Sequence, residues 1–185
     1  MRRRKPALPE ETELDRLVVE AMATRLDPAR RLRRVYGSAY CASNPVQVYV
    51  DGSALRNGTD AARAGSGIYY GRGSRKNEAV RVPDNQSNNR AEVFAVLRAL
   101  QTTDAHRTLV INSDSEYTIN MLTTWAAKFT AMGWRVTNGD VLSDAAFLLK
   151  QRPAATTLRK VKAHSGQDSG LEQNDAADEL AKEGA

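Results

Sequence analysis

Residues 86–101 read QSNNRAEVFAVLRALQ, and their apolar side chains recur with the spacing of an amphipathic helix. One stripe, at i, i+3, i+4 and i+7, consists of Val93, Val96, Leu97 and Leu100. Asn88 and Asn89 stand where a helix N-cap is expected. Glu92 flanks the stripe in the predicted first turn. Its carboxylate either forms a capping box with Asn89 or binds a ligand.

Strand patterns precede this helix, and strands alternate with helices after it. The segments before it are VQVYVDGS (46–53), which alternates apolar residues and stops at a glycine turn, GSGIYYG (65–71) and EAVRVP (78–83). The segments after it are a strand TLVINSD (108–114), a helix from Ser115, a helix DAAFLLKQR (144–152), a strand LRKVKAH (158–164) and a helix NDAADELAKEG (174–184). This order predicts an α/β domain with a mixed sheet and helical covers.

The first 45 residues differ in charge from the rest of the chain. Residues 1–45 hold ten Lys and Arg against six Asp and Glu, a net +4, whereas residues 46–185 carry only +1. We therefore treat 1–45 as a basic appendage with one amphipathic helix over 13–26 and a linker, and 46–185 as the folded domain. The basic runs are either a solvated arm or a segment for nucleic-acid binding or nuclear targeting.

The composition of the chain is typical of an intracellular protein. A single cysteine, Cys41, excludes an internal disulfide, as is typical of a reducing compartment. No apolar run approaches the ~18 residues of a membrane span. We expect an intracellular monomer, in the nucleus or cytoplasm, with no membrane partner.

Three carboxylates stand at positions that one sheet edge could unite. Asp51 and Asp114 each follow a strand pattern, and Glu92 opens the central helix. If the two strands are parallel neighbours, both aspartates emerge at the carboxyl edge, where open α/β sheets bind ligands. Such like charges need a cation, and oxygen ligands suit Mg²⁺ or Mn²⁺. Taken singly, DGS is an ordinary turn and SDS an ordinary N-cap.

Five sequence blocks, taken together, resemble ribonuclease H of type 1. They are VYVDGS (48–53), QSNNRAE (86–92), NSDS (112–115), VKAHSG (161–166) and NDAADELA (174–181), in the order of that family. The resemblance spans about residues 46–185. It implies a ribonuclease H-like fold, a five-stranded mixed sheet flanked by helices, with the first three strands antiparallel.

The resemblance also implies an activity and its cofactor. The family hydrolyses the RNA strand of RNA–DNA hybrids with two Mg²⁺ ions, for which Mn²⁺ can substitute, and leaves 5′-phosphate and 3′-hydroxyl ends. The metal ligands that it implies are Asp51, Glu92, Asp114 and Asp178. Asp175 is the nearest rival of Asp178 for the fourth place. His164 matches a loop histidine that helps to move protons or release product, although a lone histidine is more often structural.

The same resemblance assigns contacts to the hybrid. Asn57, Asn88 and Asn89 match positions that contact the RNA strand, although turn and cap chemistry alone would explain asparagine there. Ser87 matches a position in a pocket for a DNA phosphate. Tyr117 and Trp125 match positions that hold the DNA strand. With Met121 they form an i, i+4, i+8 stripe on the helix after Asp114; we expect Ile119 and Leu122 to supply the core and the two aromatic side chains to be partly exposed.

Two rival functions remain at this point. One is the same domain carried by a retroelement reverse transcriptase. The other is a non-catalytic nucleic-acid-binding module of the same fold, against which the presence of all four carboxylates argues.

Overall fold

A computed structural model describes residues 44–162 and 171–185, together with Leu32, Val35 and Tyr36. The strands within these ranges are β1 Val46–Leu55, β2 Arg63–Tyr69, β3 Glu78–Arg81, β4 Leu109–Ser113 and β5 Thr156–Lys160. The helices are α1 Asn88–Thr102, α2 Glu116–Leu122, α3 Ala126–Ala131, α4 Gly139–Gln151 and α5 Leu171–Gly184. The helix predicted over 13–26 lies outside the described residues, as does His164.

The five strands form one mixed sheet in the order β3-β2-β1-β4-β5. β1 to β3 pair antiparallel, while β4 lies parallel to β1 and β5 parallel to β4. The predicted fold class is therefore confirmed. Strand β5 ends at Lys160, earlier than the sequence predicted.

Strand β1 continues beyond the point where the sequence predicted a turn. Gly52 pairs with Ser66 inside the β1–β2 ladder, and the chain turns only after Leu55, where Arg56 has φ 51°. The prediction of a glycine turn was wrong because Gly52 serves a different need. A Cβ at residue 52 would lie 2.7 Å from the carbonyl carbon of Ala91 on α1, so glycine permits close packing there.

Helices α1 and α5 cover opposite faces of the sheet. Ser66 points toward α1, since its Oγ donates to the Ala91 carbonyl at 2.6 Å. Its neighbours Gly65 and Gly67 therefore face the other side, where a Cβ on either would overlap the backbone of α5. The core between α1, α4 and the sheet is aliphatic and closely packed. No helix among the described residues has the length and apolar content to cross a membrane.

The N-terminus of α1 begins one residue earlier than predicted. Ser87 is the N-cap, with an extended backbone, and its Oγ accepts from the Arg90 amide at 3.3 Å. Asn88 is the first helical residue, and its own amide donates to Asn57 Oδ1 at 3.3 Å. Glu92 is therefore the fifth helical residue, beyond the first turn, and the capping-box interpretation is wrong: the Ser87 hydroxyl already fills the cap.

The stripe predicted after Asp114 is broken by the end of a short helix. α2 stops at Leu122, and Trp125 precedes α3 rather than continuing α2. Thr123 ends α2, and its hydroxyl donates to the Ile119 carbonyl. Met121 is buried in the core, whereas Tyr117 is half-buried and Trp125 is 42% exposed, so the two aromatic side chains are partly exposed as predicted. Ile119 and Leu122 supply the core as predicted.

Candidate active site

Three carboxylates meet at the carboxyl edge of the two central parallel strands. The β1–β4 register ends with Tyr49 opposite Asn112, and its continuation by two residues places Asp51 level with Asp114. Glu92 reaches the same edge from α1, whose backbone lies against Gly52. One carboxylate oxygen from each of the three residues lies within 4.8 Å of the others. The structure thus brings together three of the four predicted ligands.

The cluster is largely removed from water. Asp51 is 7% exposed and Glu92 6%. The Gly52 amide donates to Asp51 Oδ1 at 2.7 Å, which fixes that carboxylate relative to the strand. Glu92 Oε2 is buried and makes no hydrogen bond to the described part of the chain. A buried oxygen without a partner is unfavourable, so this atom has unused capacity to bind a cation.

Burial and mutual repulsion both make ionisation of this cluster costly. Burial, and after it the charge of Asp114, raises the pKa of Asp51 to about 7. Burial, followed by the charges of Asp51 and Asp114, raises the pKa of Glu92 well above its ordinary value. A divalent cation would offset these charges, and an all-oxygen donor set suits Mg²⁺ or Mn²⁺. The residues present therefore fit a hard divalent cation.

Asp178 lies close to this cluster but is paired with another residue. It comes from α5, and its charge also raises the pKa of Asp51. It does not belong to the compact group of three, and its Oδ2 lies 2.5 Å from Lys182 Nζ. That hydrogen bond raises the pKa of Lys182. Asp175, the rival, is exposed on the same helix.

Two charged residues near the carboxylates were not predicted from the sequence. The first is Lys182, which follows Asp178 at i+4; helical side chains meet at this spacing, so the sequence could have predicted this pair. Arg90 is 2% exposed, and its guanidinium donates to both carboxylate oxygens of Asp140 at 2.9 and 2.6 Å. It ties the start of α1 to the start of α4. No local pattern reveals such a long-range ion pair.

The predicted RNA contacts gather at the start of α1. Asn57 lies in the β1–β2 turn, and its bond to the Asn88 amide joins that turn to the helix. Asn89 is exposed beside Asn88, and Ser87 caps the helix. Cap and turn chemistry thus accounts for Ser87 Oγ and Asn57 Oδ1, while the side chains of Asn57 and Asn89 are exposed.

The predicted DNA contacts lie on the segment that follows Asp114. The Tyr117 hydroxyl donates to the Thr137 carbonyl and accepts from Asn138 Nδ2, both at 3.4 Å. These bonds hold Tyr117 against the loop before α4. Trp125 is exposed at the start of α3.

Comparison with known proteins gives a consistent result. The RNase H family model matches residues 43–185. Ribonuclease H1 of Mus musculus is 38% identical over 144 residues, covering 76% of this chain and 50% of the mouse protein. Ribonuclease H of Schizosaccharomyces pombe is 39% identical over 155 residues, covering 80% of this chain and 55% of the yeast protein.

The chain spans about half the length of these curated relatives. Among solved structures, LC9-RNase H1, described as a type 1 RNase H with the type 2 active-site motif, superposes with a TM-score of 0.57 at 25% identity. That similarity covers 78% of this chain and 74% of the other.

Proposed function

The chain belongs to the RNase H family, and on that premise we propose that it hydrolyses the RNA strand of RNA–DNA hybrids. One observation carries the proposal: Asp51, Glu92 and Asp114 bring their oxygens within 4.8 Å of one another at the carboxyl edge of the sheet. A binding module has no need of three mutually repelling carboxylates, two of them buried, whereas a metal-dependent hydrolase needs them as ligands.

These three residues, with Asp178 as the fourth, would hold two Mg²⁺ ions, for which Mn²⁺ can substitute. Bound there, the ions would supply Lewis-acid stabilisation of charge on the phosphate and would lower the pKa of bound water. The products would carry 5′-phosphate and 3′-hydroxyl ends. The protein's own part is geometric, since the Gly52 amide fixes Asp51 and the packing of α1 fixes Glu92. His164 is proposed to move protons or assist product release.

The proposed substrate is an RNA–DNA hybrid because polar groups suited to a 2′-hydroxyl gather at the start of α1, the helix that also carries Glu92. Asn57, Asn88 and Asn89 carry amide groups that donate and accept, as recognition of the RNA strand through its 2′-hydroxyls requires. The bond from the Asn88 amide occupies Asn57 Oδ1 and leaves its Nδ2 as a donor.

The DNA strand would contact a different part of the chain. Tyr117 and Trp125 are proposed to hold its sugars and phosphates, and Ser87 to contact a phosphate. Trp125 has the exposure that such a contact needs. Tyr117 has its hydroxyl held in place by the loop before α4.

Cleavage of end-labelled RNA annealed to DNA tests the proposal. Single-stranded RNA, duplex RNA and duplex DNA serve as control substrates, each with Mg²⁺ and with EDTA. We expect cleavage of RNA in the hybrid alone, abolished by EDTA and by Asp114→Asn. Asp144→Asn, which changes an exposed aspartate on α4, should cleave like the wild type. Hybrid binding without cleavage in either Mg²⁺ or Mn²⁺ would contradict the proposal and indicate a binding module.

A further inference from the structure

Within the described part of the chain, Asp178 is the one predicted ligand whose carboxylate has a cationic partner. Lys182 Nζ lies 2.5 Å from Asp178 Oδ2, on the same face of α5 one turn later. The Asp178 side chain is 15% exposed, whereas that of Lys182 is 59% exposed. The carboxylate of Asp178 is therefore the more buried partner, and the ammonium group of Lys182 is the more exposed one.

The ammonium charge also reaches one member of the cluster of three carboxylates. It interacts with Asp51 as well as with Asp178, so a cation bound at Asp51 would be repelled by it. Asp178 remains outside the compact group formed by Asp51, Glu92 and Asp114. An ammonium that binds a ligand oxygen opposes a divalent cation in two ways, since it occupies the oxygen and repels the ion.

We propose that Lys182 is a positioning residue that competes with divalent cations for the carboxylate of Asp178 and so sets the affinity of the site for them. This inference rests on the proposed function in one respect, namely that the carboxylate cluster binds divalent cations. A merely structural role is a weak alternative, because an i, i+4 ion pair contributes little to helix stability when its ammonium group is exposed, as that of Lys182 is.

Calorimetric titration of Mn²⁺ into the whole chain, without nucleic acid, tests the inference. Lys182→Met keeps the length of the apolar stem and removes the charge. We expect it to bind Mn²⁺ about 3- to 10-fold more tightly than the wild type at low ionic strength, and this gain should shrink in about 0.5 M KCl. Lys182→Arg, which keeps the charge, should bind like the wild type.

Lys150→Met is the matched control at the opposite edge of the sheet. Lys150 is exposed in the last turn of α4, whose C-cap Arg152 donates to the Thr103 carbonyl beyond the end of α1 and to the Arg107 carbonyl before β4. This substitution should leave the affinity for Mn²⁺ unchanged.

A double substitution tests whether Lys182 acts through Asp178. In an Asp178→Asn background, the effect of Lys182→Met should fall to about twofold or less, because the carboxylate for which the ammonium and the divalent cation compete is gone.

The outcomes separate this inference from the function on which it rests. If the wild type binds Mn²⁺ and Lys182→Met binds it equally or more weakly, the role of Lys182 is refuted while the cation site stands. If neither protein binds Mn²⁺, both proposals are overturned. Thermal unfolding of each variant shows whether a change in affinity reflects damage to the fold.

Discussion

Ionisation of Asp51 should destabilise the metal-free protein as the pH rises. Below about pH 4 the carboxyl group is protonated in both the folded and the unfolded states. Above its ordinary pKa of 3.8 the unfolded chain releases the proton, while the folded chain retains it up to about pH 7. The folded state then binds more protons than the unfolded state, so the free energy of unfolding falls between these two values and stays reduced above them.

The size of this effect follows from the pKa in the folded state, about 7, and the ordinary value of 3.8. At about 1.4 kcal/mol per pH unit, the penalty is about 1.5 kcal/mol near pH 5 and about 4 kcal/mol near pH 8. Asp51→Asn removes the ionisable group and keeps its shape. Relative to the wild type, this variant should therefore gain about 2 to 3 kcal/mol of stability between the two pH values.

Urea unfolding in EDTA, followed by circular dichroism at both pH values, measures this gain. Comparing the two pH values cancels any effect of the amide that does not depend on pH. Asp60→Asn, an exposed change in the β1–β2 turn, is the control and should show no such gain. An Asp51→Asn variant that gains nothing between pH 5 and pH 8 would refute the reasoning, since the buried carboxylate would then carry no ionisation penalty.

Two further substitutions test how the helices hold the site. Asp140→Ala removes the two short bonds that the buried Arg90 makes to Asp140, leaves it, among carboxylates, only the longer 3.5 Å contact to Asp84, and should lower the free energy of unfolding by about 1.5 to 3 kcal/mol. Urea unfolding measures this, with exposed Asp144→Ala as the control, and equal stability of the two variants would contradict it. Gly67→Ala places a methyl group into the Ala177 carbonyl of α5 and should cost about 1 to 3 kcal/mol; an unchanged urea midpoint would show that α5 shifts freely.

Periodicity and motif order predicted the fold because each element carries its own pattern. The α1 stripe and the alternation of β1 are local, and they placed both elements within a few residues. What failed were features decided by tertiary contacts. Gly52 has the composition of a turn, yet it lies inside a strand because α1 needs the space. The i, i+4, i+8 stripe fits one helix only if α2 is long, and α2 ends at Leu122, before Trp125.

The sequence predicts the candidate site to the extent that its carboxylates stand at the ends of predicted strands. Asp51 and Asp114 follow from parallel strands, and Glu92 follows from its place near the start of a helix packed on the sheet. The burial of Glu92, which raises its pKa, depends on how α1 packs on the sheet, and no local pattern encodes that. The i, i+4 spacing predicts the pairing of Asp178 with Lys182. That Lys182 also interacts with Asp51 depends on how α5 packs on the sheet, which the spacing does not predict.

The contact between Gly52 and α1 has a consequence for mutational screens. Glu92 is carried by the same backbone that fills the space above Gly52, where any larger residue would push against the Ala91–Glu92 peptide. A library selected for loss of cation binding should therefore return Gly52 together with the carboxylates, although glycine offers no ligand atom. Such a library would report the tolerances of the scaffold as much as its chemistry, and a residue's rank in it would not by itself assign a role in the reaction.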